Sequence, residues 1–362
     1  MQSPIPNPKT EIRSLQSPLG FLTAYVPEAL FHAAGFTPMF IFHTPDDRGH
    51  ARAHLPGFTC WVTDSALDQA LAGKLDGLAG MALAQTCDTV QGMTDLWRRN
   101  VPDIPLFHFG MPLRLDSTSA RTYLLAELQS LRERIQSTTG YPIHDDALQE
   151  SIALYNRTRA LVRRLYARAG DFAPYDFYTL VRAAFQTPKE TYNDDLARLL
   201  EQPAIPPALG SPGSMPRILP VGSALADPIF FAVLTQAGAR VVGDLLDLGE
   251  RYFAMDAARN GNPLETLADR LLALVPTPTK YHPQRTRAAH LLSLVQTRSA
   301  DGVIFVRQKF CEPHGFDYVQ LSHALDRVGV PHLLVELEQA SQAGQLRTRI
   351  EAFVEMLTTN QQ

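Results

Sequence analysis

The feature that most restricts this chain is a regular alternation, starting at residue 217, of short apolar runs with longer amphipathic ones. RILPV (217–221), ARVVGD (239–244), DGVIFV (301–306) and PHLLVELE (331–338) read as strands, being short, apolar and bounded by turn residues. Between them lie DPIFFAVLTQAG, opened by Pro228 and closed by Gly238, then NPLETLADRLLALV (262–275), QRTRAAHLLSLVQ and FDYVQLSHALDRVG. QLRTRIEAFVEML closes the chain as a further helix. Short apolar strands separated by helices belong in a parallel sheet covered on both faces, wound by right-handed crossovers.

The same grammar governs the N-terminal part. VPEALFHAAGFTP (26–38) predicts a helix, with Pro27 in its first turn, Gly35 at its C-terminal end and Pro38 preventing continuation. MFIFH (39–43), LDGLAGMAL (75–83) and PLFHFG (105–110) read as strands, and Val90, Met93 and Trp97 recur at helical spacing between the last two. From about 117 to 200 the pattern is helical: Leu124, Leu128, Leu131 and Ile135 mark one helix. A second starts near HDDALQE, where Asp146 and Gln149 form a candidate capping box, and runs through Ile152, Tyr155 and Val162. EQPAIPPALGSPGSMP (201–216) has the composition of a linker. At 362 residues the chain exceeds one ordinary core. The expected fold is α/β: two doubly wound parallel-sheet domains of Rossmann or flavodoxin type, at 1–116 and 217–362, joined by a helical segment and linker at 117–216. No repeat of 20–50 residues relates the halves.

Composition excludes some functions. A net charge of −4 argues against nucleic acid or an anionic membrane surface as the main partner. No apolar run approaches the ~18–20 residues that span a bilayer, and MQSPIPNPKTEIRS lacks the basic and apolar regions of a secretory signal. Three cysteines are too few, and odd in number, for a secreted disulfide framework, so a reducing cytoplasm is expected.

Those cysteines carry the chemistry. Cys87 and Cys311 each follow a predicted strand and precede a predicted helix, the edge that lines the ligand crevice of open α/β sheets. Cys60, in GFTCWVTDS, also precedes a helix, with Thr63 or Asp64 as candidate cap. Helix N-termini stabilise thiolates and bound anions. The spacing C-x26-C-x223-C is far from the tight clusters of zinc fingers and ferredoxins, so one site built from all three requires the two domains to close on each other. On the residues alone three readings stay open: buried packing thiols, a Cys3His zinc site using His43 or His314, and a three-thiolate centre.

Several stretches in order add a resemblance: VPEALFHAAGFTP, CWVTDSAL (60–67), QTCDTVQGMTDLW (85–97), PLFHFGMPLRLD (105–116), GARVVGD with GERYF, VRQKFCEPHGFDY, and PHLLVELEQ with RTRIEAFVEML. Together they resemble the 2-hydroxyacyl-CoA dehydratase family, which includes subunits of ATP-dependent benzoyl-CoA reductase. The resemblance implies one 4Fe–4S cluster per chain, held by Cys60, Cys87 and Cys311, with one iron lacking a protein thiolate. It implies one-electron reduction of an acyl-CoA thioester to a ketyl-type radical, with the electron delivered by a separate ATP-dependent activator. The absence of GxxxxGKS here fits ATP being handled elsewhere. The chain's length matches the shorter, beta-type subunit, whose partner is a longer homologous subunit that holds the acyl-CoA substrate. A non-catalytic 4Fe–4S electron carrier or scaffold of the same family is the alternative. GDLLDLGERYF lacks the C-T-G-type turn associated with many dehydratase subunits, so dehydratase and ring reductase both remain open, and three cysteines are fewer than the double-cubane branch carries.

Other polar residues have plainer readings. Asp88 suits a helix cap; His314 is either a hydrogen-bond donor to cluster sulfur or an exposed turn histidine. His32 reads as a core or interface histidine. Arg347 and Arg349 suit surface pairing with Glu351 or Glu355, and Glu336 and Glu338 end a strand near the crevice.

Overall fold

The structure is a computed structural model that describes residues 17–43, 49–203, 215–223, 228–337 and 343–359. The first half runs β1 (Ser17–Phe21), α1 (Glu28–Ala33), β2 (Phe36–Phe40), α2 (Trp61–Leu71), β3 (Gly80–Ala84), α3 (Asp88–Asn100) and β4 (Leu106–Phe109). Its four strands are parallel in the order β2-β1-β3-β4. Four helices follow: α4 (Thr118–Thr139), α5 (Asp145–Ala167), α6 (Pro174–Ala183) and α7 (Lys189–Glu201). Then come β5 (Arg217–Gly222), α8 (Ile229–Gln236), β6 (Arg240–Val241), β7 (Leu245–Leu246), α9 (Glu250–Phe253), α10 (Pro263–Ala273) and α11 (Arg287–Thr297). The chain ends with β8 (Gly302–Gln308), α12 (Glu312–Asp326), β9 (His332–Leu337) and α13 (Ala343–Thr359). The second sheet is parallel too, ordered β6-β5-β8-β9, with β7 pairing β5 beyond the end of β6. The mixed α/β class with two parallel sheets is thus as expected. The two sheets share one strand order, central strand then outward, back across and on, which sequence identity does not reveal.

The largest hydrophobic cluster is continuous from Phe21 and Phe107 of the first sheet, through Leu128 and Leu165 of the helices, to Ile304 and Val306 of the second. Two satellite cores cover the other faces: Met81, Met93 and Trp97 under α2 and α3, and Leu291, Leu321 and Leu325 under α11 and α12. Polar ties reinforce the join. Tyr25 Oη accepts from the Thr277 amide (3.0 Å) and from the fully buried Arg251 (3.3 Å). Buried Glu28 pairs with Lys189 (3.2 Å) and accepts from Tyr252 Oη.

Three local expectations shift. β2 occupies Phe36–Phe40 rather than 39–43, because pairing with β1 matches Ser17 to Phe36 and buries Phe36 and Phe40 together. Pro38 is tolerated because β2 is an edge strand. β1 itself, SPLGF, carries Pro18 and Gly20 and has no strand signal; its glycine is needed because a β-carbon would press on Leu78 and Met81. Asp146 does not cap α5: the helix begins at Asp145 with His144 in the cap position, and Gln149 donates to the Gly261 carbonyl instead. Most of the linker, 204–214, lies outside the described residues, as does Glu338.

Candidate functional site

In a sheet ordered like these, the direction of winding reverses between the first and third strands, and the C-terminal ends of those strands frame the ligand crevice. The first sheet reverses between β1 and β3, the second between β5 and β8. Thr23 follows β1, Cys87 follows β3, Ser223 follows β5 and Cys311 follows β8, and all four line one cavity of about 110 Å³. Cys60, entering from α2, lines it as well. The structure therefore brings all three sequence-predicted cysteines together, from both halves of the chain.

Each cysteine occupies the N-cap of its helix: Cys60 of α2, Cys87 of α3 and Cys311 of α12. Thr63 and Asp64, expected as caps of α2, lie inside it; the Thr63 hydroxyl donates back to the Cys60 carbonyl (2.8 Å). Asp88 is the exposed first residue of α3, where its charge favours the helix end. All three thiols are free and partly buried. Their electrostatics differ. A hydrogen bond from the Cys311 thiol, with the amides of Val62 and Thr63, holds the Cys60 pKa below the ordinary thiol range against the cost of burial. The same bond and burial push Cys311 up, so this pair favours one thiolate and one thiol. Burial raises Cys87, partly offset by the amides of Val90 and Thr89. None of the three sulfurs accepts a cap hydrogen bond, but the amides at each helix start favour the charged form of the nearby thiol.

The far wall comes from residues 277–279 and the turn after β7. Lys280 Nζ donates to the carbonyls of Gln85 (3.2 Å) and Met111 (3.0 Å), lacing this segment to the ends of β3 and β4. Burial lowers its pKa to about 8, with the Cys87 charge opposing. Tyr281 forms a parallel bridge with Arg114, its amide donating to the Leu113 carbonyl (2.8 Å). His314 is buried rather than exposed, and its Nε2 pairs with Asp247 Oδ2 (3.0 Å) on the cavity wall. Burial would raise the Asp247 pKa, but His314, Arg251 and Arg287 beside it bring it below the usual range. The turn carrying Asp247 is shaped by buried Asp244: Oδ1 accepts the amides of Leu246 (3.1 Å) and Glu250 (2.9 Å), and Oδ2 accepts from Tyr166 Oη (2.5 Å). Its pKa is raised to about 6, by burial first, against the Tyr166 bond.

The remaining candidates lie elsewhere. The His43 ring lies against Trp61, centroids 3.6 Å apart and planes tilted by 41°, and His32 bonds Ser151 and Glu190. Arg347 makes the expected surface pair with Glu351 (3.7 Å), Arg349 donates to the Leu334 carbonyl, and Glu336 pairs with Arg307. Among the described residues, no group of three or more His, Cys, Asp or Glu is arranged to hold a single metal ion. Sequence reading missed Thr23, Ser223, Asp247 and Lys280; the strand-end rule would have found the first two once β1 was recognised.

Two parallel sheets with cysteines at their paired crevices define a class, an α/β protein built around a thiol-lined internal site. Residues 23–357 match the family 2-hydroxyglutaryl-CoA dehydratase, D-component, and the chain belongs to it. It is 26% identical to the (R)-phenyllactyl-CoA dehydratase beta subunit of Clostridium sporogenes, covering 98% of this chain and 96% of that one. It is 27% identical to the (R)-2-hydroxyglutaryl-CoA dehydratase subunit beta of Acidaminococcus fermentans (94% and 92% covered). A benzoyl-CoA reductase subunit of Thauera aromatica is similar at 26% identity (91% and 87% covered). Among the described residues no helix is long and apolar enough to cross a membrane.

Proposed function

We propose that this chain is the iron–sulfur, beta-type subunit of a heteromeric 2-hydroxyacyl-CoA dehydratase or benzoyl-CoA-type reductase, with one 4Fe–4S cluster on Cys60, Cys87 and Cys311. The observation that carries the reading is the convergence of three thiols, each at a helix N-terminus, on one cavity at both crevices. The donor set fits the cluster better than it fits zinc. Tetrahedral zinc requires four ligands within ~2.0–2.3 Å of one point, whereas among the described residues no group of three or more His, Cys, Asp or Glu is placed that way, and His43 does not line the cavity. A cubane instead takes each thiolate on a different iron, which suits sulfurs spread around a cavity.

A bound cluster supplies one-electron transfer at low potential. The protein's part is to anchor it, stabilise its charge and exclude water. The three helix N-termini and the amides of Val62, Thr89, Val90 and His314 face the sulfurs, while Leu22, Val62, Val90 and Leu248 close the cavity with apolar surface. The names of the relatives support a partner subunit and an acyl-CoA thioester as substrate. With them go a longer homologous subunit and an ATP-dependent activator as electron source, in the cytoplasm. Iron and acid-labile sulfide measured on anoxically prepared protein test the assignment. About four of each per chain, with loss in each of Cys60→Ala, Cys87→Ala and Cys311→Ala, is the expected result. Zinc without sulfide, or full iron in any one variant, would overturn it.

A further inference from the structure

Three cysteines leave one iron of a cubane without a thiolate, and the cavity wall differs from place to place in what it offers there. Most of its hydroxyls are engaged. Thr23 accepts from the Ala84 amide, Thr63 donates to the Cys60 carbonyl, and Thr277 and Thr279 bond each other (3.2 Å). Ser223 differs from these. It lines the cavity at 7% exposure, yet among the described residues its Oγ has no hydrogen-bond partner. Asp247 Oδ1, also on this wall, is likewise buried without one. Buried hydroxyls are almost always bonded, so a bare one facing a cavity marks a partner that the described residues do not supply.

The backbone fixes Ser223 in that place. At Gly222, just before it, a β-carbon would overlap the Val306 carbonyl oxygen, so β5 and β8 approach each other more closely than any side chain at 222 would allow. The hydroxyl is thereby held at the second crevice, on the strand next to the one that leads to Cys311.

We infer that Ser223 is a positioning residue: its hydroxyl donates a hydrogen bond to the small non-protein ligand on the cluster iron that no cysteine binds. This rests on the cluster assignment above. A ligand bonded to Ser223 and facing Asp247 Oδ1 is a protic one of a few atoms, because the cavity also has to hold the cluster.

The test uses the full chain, loaded with iron and sulfide under anoxia, as wild type, Ser223→Ala and Ser223→Cys. Mild ferricyanide oxidation should strip the thiolate-free iron from wild type and give the electron paramagnetic resonance signal of a three-iron cluster. Ser223→Cys places a fourth thiolate beside that iron and should retain all four irons without the signal. Ser223→Ala should keep four irons but bind cyanide, added as a probe ligand and followed by the same spectroscopy, roughly 3- to 10-fold more weakly. Four irons in wild type, with both variants matching it in oxidation and cyanide affinity, would overturn the role of Ser223 alone. If Ser223→Cys holds no cluster, the cyanide affinity of Ser223→Ala decides. A wild type that takes up no iron would overturn the cluster assignment and this inference with it.

Discussion

Replacing Tyr166 by Phe removes one hydroxyl and isolates the buried charge that shapes the turn carrying Asp247. Asp244 has a folded pKa of about 6 against an ordinary 3.8, so the folded protein holds this proton more tightly than the unfolded chain. The stability it confers is fully present below pH 3.8 and lost as the pH rises through 6. At ~1.36 kcal/mol per unit the loss totals about 3 kcal/mol. The Tyr166 bond limits that loss by stabilising the carboxylate. A hydrogen bond to a charged group contributes ~1.5–3 kcal/mol, so its removal raises the Asp244 pKa by roughly one to two units. The variant should therefore lose about 2 kcal/mol at pH 8, where the wild-type carboxylate is ionised, but ~1 kcal/mol or less at pH 5, where both folded forms hold the proton. Urea unfolding of both proteins at the two pH values, followed by circular dichroism, measures the difference. An equal loss at both, or a larger one at pH 5, would refute the claim that Tyr166 acts on a charge.

Three other substitutions probe the frame of the cavity. Gly222→Ala should cost ~1–3 kcal/mol through overlap with the Val306 carbonyl and lower the iron retained after loading; unchanged thermal stability would show that β5 has room to move. Tyr25→Phe deprives the Thr277 amide of its acceptor and Arg251 of one of several and should destabilise by about 1–3 kcal/mol, with faster loss of iron in air than wild type. Lys189→Met strands the buried Glu28 carboxylate and should cost ~3–5 kcal/mol, largely recovered in the double variant Glu28→Gln/Lys189→Met, as a double-mutant cycle in urea would show.

The second sheet was legible because β5, β8 and β9 are apolar runs of six or seven residues flanked by helices with ordinary periodicity. β1 was not, because a five-residue strand containing proline and glycine draws its strandedness from its neighbours and not from its own propensity. β2 slid three residues along the sequence for the same reason: register with β1 and burial of Phe36 outweighed the local run MFIFH. The two-residue β7 and one-turn α9 exist through the Asp244 side chain, and no propensity signals that. At the site, the addresses of Cys87 and Cys311 could be read from strand and helix patterns, whereas their meeting depends on how two sheets pack across the 223 residues between them. Ser223, too, is an ordinary serine until its place on the cavity wall, after Gly222 packed against Val306, is known.

One continuous core runs beneath both sheets, and its consequence is mechanical. Domains joined by small polar interfaces swing apart, whereas the two sheets here share one apolar interior, which predicts that they unfold together. The crevice between them is therefore a fixed socket, not a jaw. A guest tied to both walls would add its binding free energy to the folding of the whole chain, and its departure would loosen both halves together. Were the proposed cluster bound there, such rigidity would also suit electron transfer, since walls that do not shift when a charge arrives impose little reorganisation on the step.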